Sequence, residues 1–411
     1  MARMLQLRIA LGACLLFVGC QSNVEENVGN PFSTLLSPAF QTISPRQEIS
    51  TREAARILTL NLDNSGNGFV SSASSGTELY VIQDFQYQQR FQPLFYSFFL
   101  PTIFWEGSGK GEIIFLASNT FQPGFFTSTP SRQMREPLKL TSAQISDYQK
   151  SSEPQTFDYK EPGMELITST PIINREGTGY LSGTLRPRIS QDPRHVYSLA
   201  YIPINSHRLQ GELVKLKDTV YSEKLPFAWF NQSNGLILLN SKNNDWGFKE
   251  IRQHQIGDSE TNLGSSSLFP YSYIDQNGDG FIALWTSSSE LKIHQFQGFK
   301  HIKSETITAT LPQGTQFELA FSNGKGLLVT YTLPVSLSSN SSVNMQCSSI
   351  ENGQIKNTKH FAFSLKERLP FGAIMKVNKN GRGLFVLGTG PKGSSKGTLH
   401  LFPIHNFMLQ P

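Results

Sequence analysis

Residues 271–285 read Tyr-Ser-Tyr-Ile-Asp-Gln-Asn-Gly-Asp-Gly-Phe-Ile-Ala-Leu-Trp, two strand-like runs on either side of a turn. The turn contains Asn277-Gly278, a pair that accepts the positive φ angles of tight hairpin turns. The outgoing run, residues 281–285, is continuously apolar, as expected of a strand that is covered on both faces of its sheet. The stretch therefore predicts a β-hairpin inside a buried sheet.

The same glycine turn recurs along the chain, each time followed by an apolar run. Seven copies are visible, centred on Gly66-Asn67-Gly68, Gly109-Lys110-Gly111, Gly177-Thr178-Gly179, Asn234-Gly235, Gly278-Asp279-Gly280, Gly324-Lys325-Gly326 and Gly381-Arg382-Gly383. Their last glycines run from position 68 to position 383, a mean spacing of about 52 residues, near the ~40–50 of propeller blades.

This repeat predicts an all-β fold, a β-propeller of seven four-stranded blades over residues 51–411. A propeller covers both faces of every sheet, because each blade packs between two neighbours. The chain resembles bacterial propeller proteins with glycine hairpin repeats, and the resemblance singles out no one family. We expect the outer strand of the last blade to come either from the C-terminal tail, residues 406–411, or from a segment near residues 43–57.

Composition agrees with a fold of strands and turns. Of 411 residues only 16% are charged, whereas glycine (33) and proline (22) are common. The net charge of +5 is too small to indicate a nucleic-acid partner. The eight histidines show no zinc-finger or metalloprotease spacing.

The N-terminus carries a targeting signal. Arg3 and Arg8 are followed by an apolar run of ten residues, 9–18, too short for a membrane span of ~20. The segment that ends in Gly19-Cys20 resembles the lipobox of bacterial lipoproteins. The resemblance implies that residues 1–19 are a signal peptide, that Cys20 is lipidated, and that residues 20–50 are a tether. With Gln21 after the acceptor, the chain resembles lipoproteins that are sorted to the outer membrane, and the resemblance implies a lipid-anchored protein there, in the cell envelope.

One turn could hold calcium. Asp275, Asn277 and Asp279 place oxygen ligands at alternate positions, as calcium loops do. A further carboxylate should follow the turn, but Ala283 stands near its position. We therefore expect a turn without metal and no cofactor, with calcium as the alternative.

The longest interval between hairpins predicts a binding loop. Residues 141–163 contain Tyr148, Phe157 and Tyr159 among charged side chains. Loops longer than ~12–15 residues are uncommon unless they are functional or disordered, so a mobile insertion without a partner is the alternative.

Charge is uneven near the C-terminus. Residues 351–411 contain nine lysines and arginines but only two acidic residues, Glu351 and Glu367. This sector could meet an anionic lipid or polysaccharide, or it could be the solvated edge of the propeller.

These features together predict a non-enzymatic scaffold that binds a protein or a glycan, attached to the membrane through its lipid. An envelope enzyme acting on a glycan or ester, with acids converging in the propeller funnel, is the first alternative. A calcium-stabilised adhesin is the second.

Overall fold

The computed structural model describes residues 40–410 apart from 53–56, 74–76, 92–101, 106–109, 118–138, 151–154, 158–163, 169–171, 174–177, 188–195, 206–207, 225, 232–233, 276, 313, 323, 335–340, 367 and 392–395. Cys20 and Tyr159 lie outside these residues. Nearly all regular structure in them is β: there are 33 strands and one 3-10 turn, Lys242–Asn244. No helix in this part of the chain is long and apolar enough to cross a membrane. The all-β prediction is confirmed.

The strands form seven sheets, numbered here in chain order. The first sheet contains β3 (Ile57–Leu62), β4 (Gly68–Ala73), β5 (Thr77–Gln83) and β6 (Gln86–Phe91). The second contains β7 (Thr102–Trp105), β8 (Lys110–Ala117), β9 (Lys139–Ser146), β10 (Gln149–Lys150) and β11 (Gln155–Phe157). The third contains β12 (Met164–Thr168), β13 (Ile172–Ile173), β14 (Gly179–Pro187), β15 (Val196–Asn205), β16 (Arg208–Leu209) and β17 (Val214–Tyr221).

The remaining sheets are more regular. The fourth contains β18 (Phe227–Phe230), β19 (Asn234–Asn240), β20 (Asp245–Arg252) and β21 (Gln255–Ser265), and the fifth contains β22 (Tyr271–Ile274), β23 (Gly280–Ser287), β24 (Glu290–Gln297) and β25 (Lys300–Thr308). The sixth contains β26 (Thr315–Ser322), β27 (Lys325–Thr332), β28 (Ser342–Glu351) and β29 (Gln354–Ser364), with β1 (Gln41–Thr42) parallel to β29. The seventh contains β30 (Arg368–Val377), β31 (Gly383–Pro391), β32 (Gly397–His405), β33 (Met408–Leu409) and β2 (Gln47–Thr51).

In the first, fourth and fifth sheets four strands pair antiparallel in chain order, which is the order of β-propeller blades. The sixth and seventh sheets keep this order and add β1 and β2 from the N-terminal part of the chain. Six of the seven predicted glycine turns fall in the chain between the first and second strands of their sheets, and Gly177-Thr178-Gly179 falls between β13 and β14 of the third sheet. The predicted repeat is therefore confirmed. The second strands are buried on both faces, as predicted from their apolar runs: β31 is buried from Gly383 to Gly390 and β19 from Gly235 to Asn240.

A second repeated turn joins the third and fourth strands. Two successive residues with positive φ form it, as in a type I′ turn, for example Asp84 (46°) and Phe85 (60°). The amide of Phe85 donates a hydrogen bond to the carbonyl of Gly66 in the first turn of the same sheet, at 2.9 Å. Phe299 and Gly278 repeat this bond at 2.9 Å, so both turns lie at one end of their sheet. We call this end of the sheets the turn face.

Neighbouring sheets pack through shared apolar cores. The core between the first and seventh sheets contains Ile49 from β2, Leu58 and Val70 from the first sheet, and Val386 and Leu401 from the seventh. Similar cores join the third sheet to the fourth, the fourth to the fifth, the fifth to the sixth and the sixth to the seventh. Between the first and second sheets, the rings of Phe69 and Tyr148 lie 6.2 Å apart.

Both chain ends complete the seventh sheet. β2 pairs with β32 from Gln47 opposite Leu401 to Thr51 opposite Gly397. β33 pairs with the other end of β32, through Leu409 opposite Ile404. The two sources considered for the outer strand therefore contribute together. Among the residues that the structure describes, strand pairing begins at Gln41, within the segment predicted as a tether.

The gap between β33 and β2 lies where the outer strands of other sheets are irregular. In the first, fifth and sixth sheets the outer strand shifts register against its neighbour two residues after the turn. Such bulges bend a strand and interrupt its ladder. In the seventh sheet the gap between β33 and β2 falls at the same place. Two separate segments there take the position that one bulged strand has in the other sheets.

Candidate functional site

The predicted calcium loop is a hydrogen-bonded turn on the turn face. One carboxylate oxygen of Asp275, Oδ1, accepts the amides of Asn277 at 2.8 Å and Asp279 at 3.0 Å. Oδ1 of Asp279 accepts the amide of Gly298 at 2.9 Å. Burial raises the pKa of Asp275, and its two amide hydrogen bonds oppose that rise. The carboxylate oxygens of Asp275 and Asp279 thus accept hydrogen bonds from backbone amides of this turn and of the turn at Gly298.

Two other sheets build the same turn with different side chains. Asp63 accepts the amides of Ser65 at 2.8 Å and Asn67 at 2.9 Å. Asn378 accepts two amides in the same way, at 3.0 and 2.9 Å. An uncharged amide therefore suffices for this architecture, which needs no ion. No group of three or more histidines, cysteines or acids in the described residues could hold a metal.

We therefore expect the melting temperature to stay the same when calcium is added and when a chelator is added. Asp275→Ala should lower the free energy of unfolding by about 1–2 kcal/mol, because two amides lose their acceptor. Differential scanning calorimetry with and without calcium tests both statements. A calcium-dependent rise of several degrees that Asp279→Ala abolishes would restore the calcium prediction.

Two of the three predicted binding aromatics, Tyr148 and Phe157, lie in the described part of the chain, and Tyr159 lies outside it. Tyr148 occupies the turn between β9 and β10 with φ 60°, the position that Phe85 holds in the first sheet. Phe157 lies in β11, opposite Leu140. The prediction of one long loop over residues 141–163 is therefore wrong, because β9, β10 and β11 take up much of it. A binding role for Tyr148, Phe157 and Tyr159 stays a prediction.

A buried acid joins three sheets. Glu318, on β26, is 7% exposed, and its Oε2 accepts hydrogen bonds from the Tyr271 hydroxyl at 3.3 Å and the Met375 amide at 3.2 Å. These partners lie on β22 and β30, the first strands of the two adjoining sheets. Burial raises the pKa of Glu318 to about 8, so the carboxyl keeps its proton at neutral pH.

Glu318→Gln is expected to stabilise the protein in a pH-dependent way. The unfolded carboxyl loses its proton near pH 4.5 and the folded one near 8, so wild-type stability falls as pH rises between these values. Glutamine removes that loss, and the gain at pH 7 should be on the order of 3 kcal/mol, vanishing near pH 4.5. Urea unfolding at pH 5 and pH 7 measures it, with the exposed Glu351→Gln as control. A gain equal at both pH values would contradict the assignment.

A buried histidine holds the N-terminal strand. His400 places Nε2 2.8 Å from Thr389 Oγ1 and Nδ1 3.0 Å from Glu48 Oε1. The three groups have the order of a hydrolase triad, but Thr389 is 0% and His400 2% exposed, so a substrate cannot reach the hydroxyl. Burial lowers the pKa of His400 to about 4. The neutral imidazole therefore ties β2 to the seventh sheet.

A cleft lies on the turn face where the first and seventh sheets meet. We call it the seam cleft; it has a volume of about 220 Å³. Its lining comes from both chain ends and from turns of the two sheets: Arg46, Asp84, Phe85, Gln86, Arg382, Gly383, Pro403, Ile404 and His405. Arg382 bridges the sheets, since its Nη2 lies 2.9 Å from Asp84 Oδ1 and its guanidinium 5.2 Å from the centre of the Phe85 ring.

Sequence reasoning missed this cleft because its lining residues lie up to 359 positions apart, from Arg46 to His405. The excess of basic residues over 351–411 was the available signal, since it includes Arg382.

No protein-family model and no curated protein matches the chain. Solved structures with partial similarity include the WD40 domain of SCAP from fission yeast, at 9% identity and TM-score 0.37, covering 87% of this chain and 89% of that one. An uncharacterized protein from Listeria monocytogenes EGD-e has 13% identity and TM-score 0.41, covering 87% of this chain and 96% of that one. A chain of the Mitotic Checkpoint Complex has 10% identity and TM-score 0.42, covering 96% of this chain and 100% of that one.

Proposed function

We propose that the chain is a lipid-anchored protein of the cell envelope, at the outer membrane, whose seven-bladed β-propeller is a non-enzymatic scaffold that binds a protein or a glycan through its turn face. The observation that carries this proposal is the seam cleft, where charged side chains from both chain ends meet around one concavity. The buried acid and histidine serve the fold instead: Glu318 joins sheets and His400 holds β2.

Contacts between the first and seventh sheets support a ring of seven blades. The two sheets share an apolar core, and Nδ2 of Asn378 donates to the carbonyl of Asn64 at 2.6 Å. The side chain of Gln47, on β2, accepts the amide of Tyr87 in the first sheet at 2.7 Å and donates to its carbonyl at 3.3 Å. A closed ring leaves no long strand edge open to aggregation.

The lipid anchor is tested at Cys20. Cys20→Ala should move the protein from the detergent phase to the aqueous phase, or leave it unprocessed, because the acyl chains attach through this thiol. Phase partitioning of the variant and the wild type measures the change. Identical partitioning would contradict the anchor.

Binding through the turn face is tested by site-specific photo-cross-linking in intact envelopes. A benzoylphenylalanine at His405, on the turn face, is expected to give adducts with a partner. The same group at Ser288, in the exposed turn between β23 and β24 at the other end of the fifth sheet, serves as the control. Adducts from Ser288 as strong as those from His405, or none from His405, would contradict the proposal.

A further inference from the structure

The seam cleft contains a cationic side chain held ready for a ligand. Arg46 directly precedes β2, and its backbone amide donates to the carbonyl of Leu401 at 2.9 Å, which fixes the base of the side chain. The side chain is exposed, and its guanidinium makes no hydrogen bond or ion pair with any residue that the structure describes. A free guanidinium at the rim of a cleft can accept an anionic group.

The side chains that line the cleft have a net positive charge, with one acidic residue among them. Arg46 and Arg382 bring two positive charges, and Asp84, the acid in the lining, brings one negative charge that already pairs with Arg382. Guanidinium groups bind carboxylates through two parallel hydrogen bonds, and they do so best in a fixed position. The packing of Arg382 against the Phe85 ring supplies such a position.

The remaining polar groups favour a sugar over a phosphoryl group. Asp84 and Gln86 present acceptors that suit hydroxyl donors. The Asp84 carboxylate repels a phosphomonoester dianion more strongly than a carboxylate monoanion, and the phosphoryl group of such an ester has no donors for these acceptors. The volume of about 220 Å³ is below the ~300–1,000 Å³ of drug-sized pockets, so it suits one ring of a chain rather than a whole oligosaccharide.

We propose that the seam cleft binds an acidic sugar residue of a glycan, with its carboxylate on Arg46 and Arg382 and its hydroxyls on Asp84 and Gln86. This inference rests on the proposed binding function and names the ligand class of that site. Because chain ends and first-sheet turns both contribute, the site exists only when the first and seventh sheets are joined.

The experiment compares two sugars that differ only at carbon 6, D-glucuronate and D-glucose, with inorganic phosphate as a third probe. Titrations followed by NMR on the soluble Cys20→Ala form should show glucuronate binding about tenfold or more tightly than glucose, since a charge-assisted hydrogen bond is worth ~1.5–3 kcal/mol. Arg46→Gln should weaken glucuronate binding by about tenfold, and so should Arg382→Gln.

The control is Lys325→Gln, which removes one positive charge outside the cleft, from an exposed pair with Glu351. Glucuronate affinity should then change less than about twofold. Equal affinity for glucose and glucuronate, or an Arg46→Gln variant that is folded and binds as wild type, would overturn the inference. Phosphate binding tighter than glucuronate would overturn it in favour of a phosphoryl ligand. Adducts from His405 without glucuronate binding would refute the acidic sugar alone, whereas absence of both would refute the scaffold proposal too.

Discussion

Replacement of Ile49 by aspartate is expected to remove a large part of the protein's free energy of unfolding. Ile49 is 3% exposed on β2, inside the core that the first and seventh sheets share. An aspartate there loses the apolar contacts and places a carboxylate in a site without a partner, at a cost of roughly 5 kcal/mol or more. Typical domains have only ~5–15 kcal/mol of total stability. Far-ultraviolet circular dichroism and urea unfolding measure the loss.

The matched control for Ile49→Asp lies one position along the same strand. Ser50 is exposed, because successive side chains of a strand point to opposite faces. Ser50→Asp should change stability by no more than about 0.5 kcal/mol. If both variants retained wild-type unfolding midpoints, β2 would not complete the seventh sheet.

Replacement of Gly278 by alanine is expected to have the second-largest effect. Gly278 has a φ of +80°, and an added Cβ would collide with the backbone nitrogen and the ring of Phe299 in the neighbouring turn. The left-handed conformation alone costs about 1–2 kcal/mol for a residue other than glycine. Displacing Phe299 from its place over the turn adds a packing loss, so the total should exceed about 3 kcal/mol.

Gly298 separates the two contributions to the Gly278 effect. Its φ is +57°, but a Cβ added there would meet nothing within 4 Å. Gly298→Ala should therefore cost only the conformational term of about 1–2 kcal/mol. Thermal unfolding of the two variants compares them. Equal losses would show that the contact between Gly278 and Phe299 contributes nothing.

Local patterns predicted most of the fold. Asn-Gly and Gly-x-Gly turns followed by apolar runs, such as residues 281–285, predicted seven hairpins, and six of these turns fall between the first and second strands of their sheets. The second repeated turn could not be predicted from the sequence, because it depends on backbone conformation more than on residue type. Its two positive-φ positions hold Asp84-Phe85 in one sheet and Gln253-His254 in another.

The candidate site could not be predicted in the same way. The pair of Glu48 and His400 and the cleft between Arg46 and Arg382 join residues from opposite ends of the chain. No local pattern marks such contacts, since only tertiary packing brings the two ends together. Asp275 has the spacing of a calcium ligand, and its carboxylate accepts amides of its turn as the neutral side chain of Asn378 does. Spacing alone therefore does not separate a calcium loop from a turn of this kind.

The central claim is that the N-terminal strand completes the last sheet and so builds the cleft beside the first. Thiol cross-linking tests it most directly, with Ser50→Cys and Thr398→Cys, residues that lie opposite each other on β2 and β32, in the Cys20→Ala background. Cys347 does not interfere, because it is buried and burial raises its pKa to about 12. Cys14, which stays in a chain that is not processed, is replaced by alanine as well. Because Thr398 is only 5% exposed, the pair is joined by oxidation rather than by an added reagent. Facing strand residues have Cβ atoms about 4.5–5.5 Å apart, near enough for a disulfide to form within one chain. Oxidation should not join Ser50→Cys to His405→Cys, seven residues further along β32 and about 23 Å away. Failure of the first pair, or equal cross-linking of both, would contradict the account.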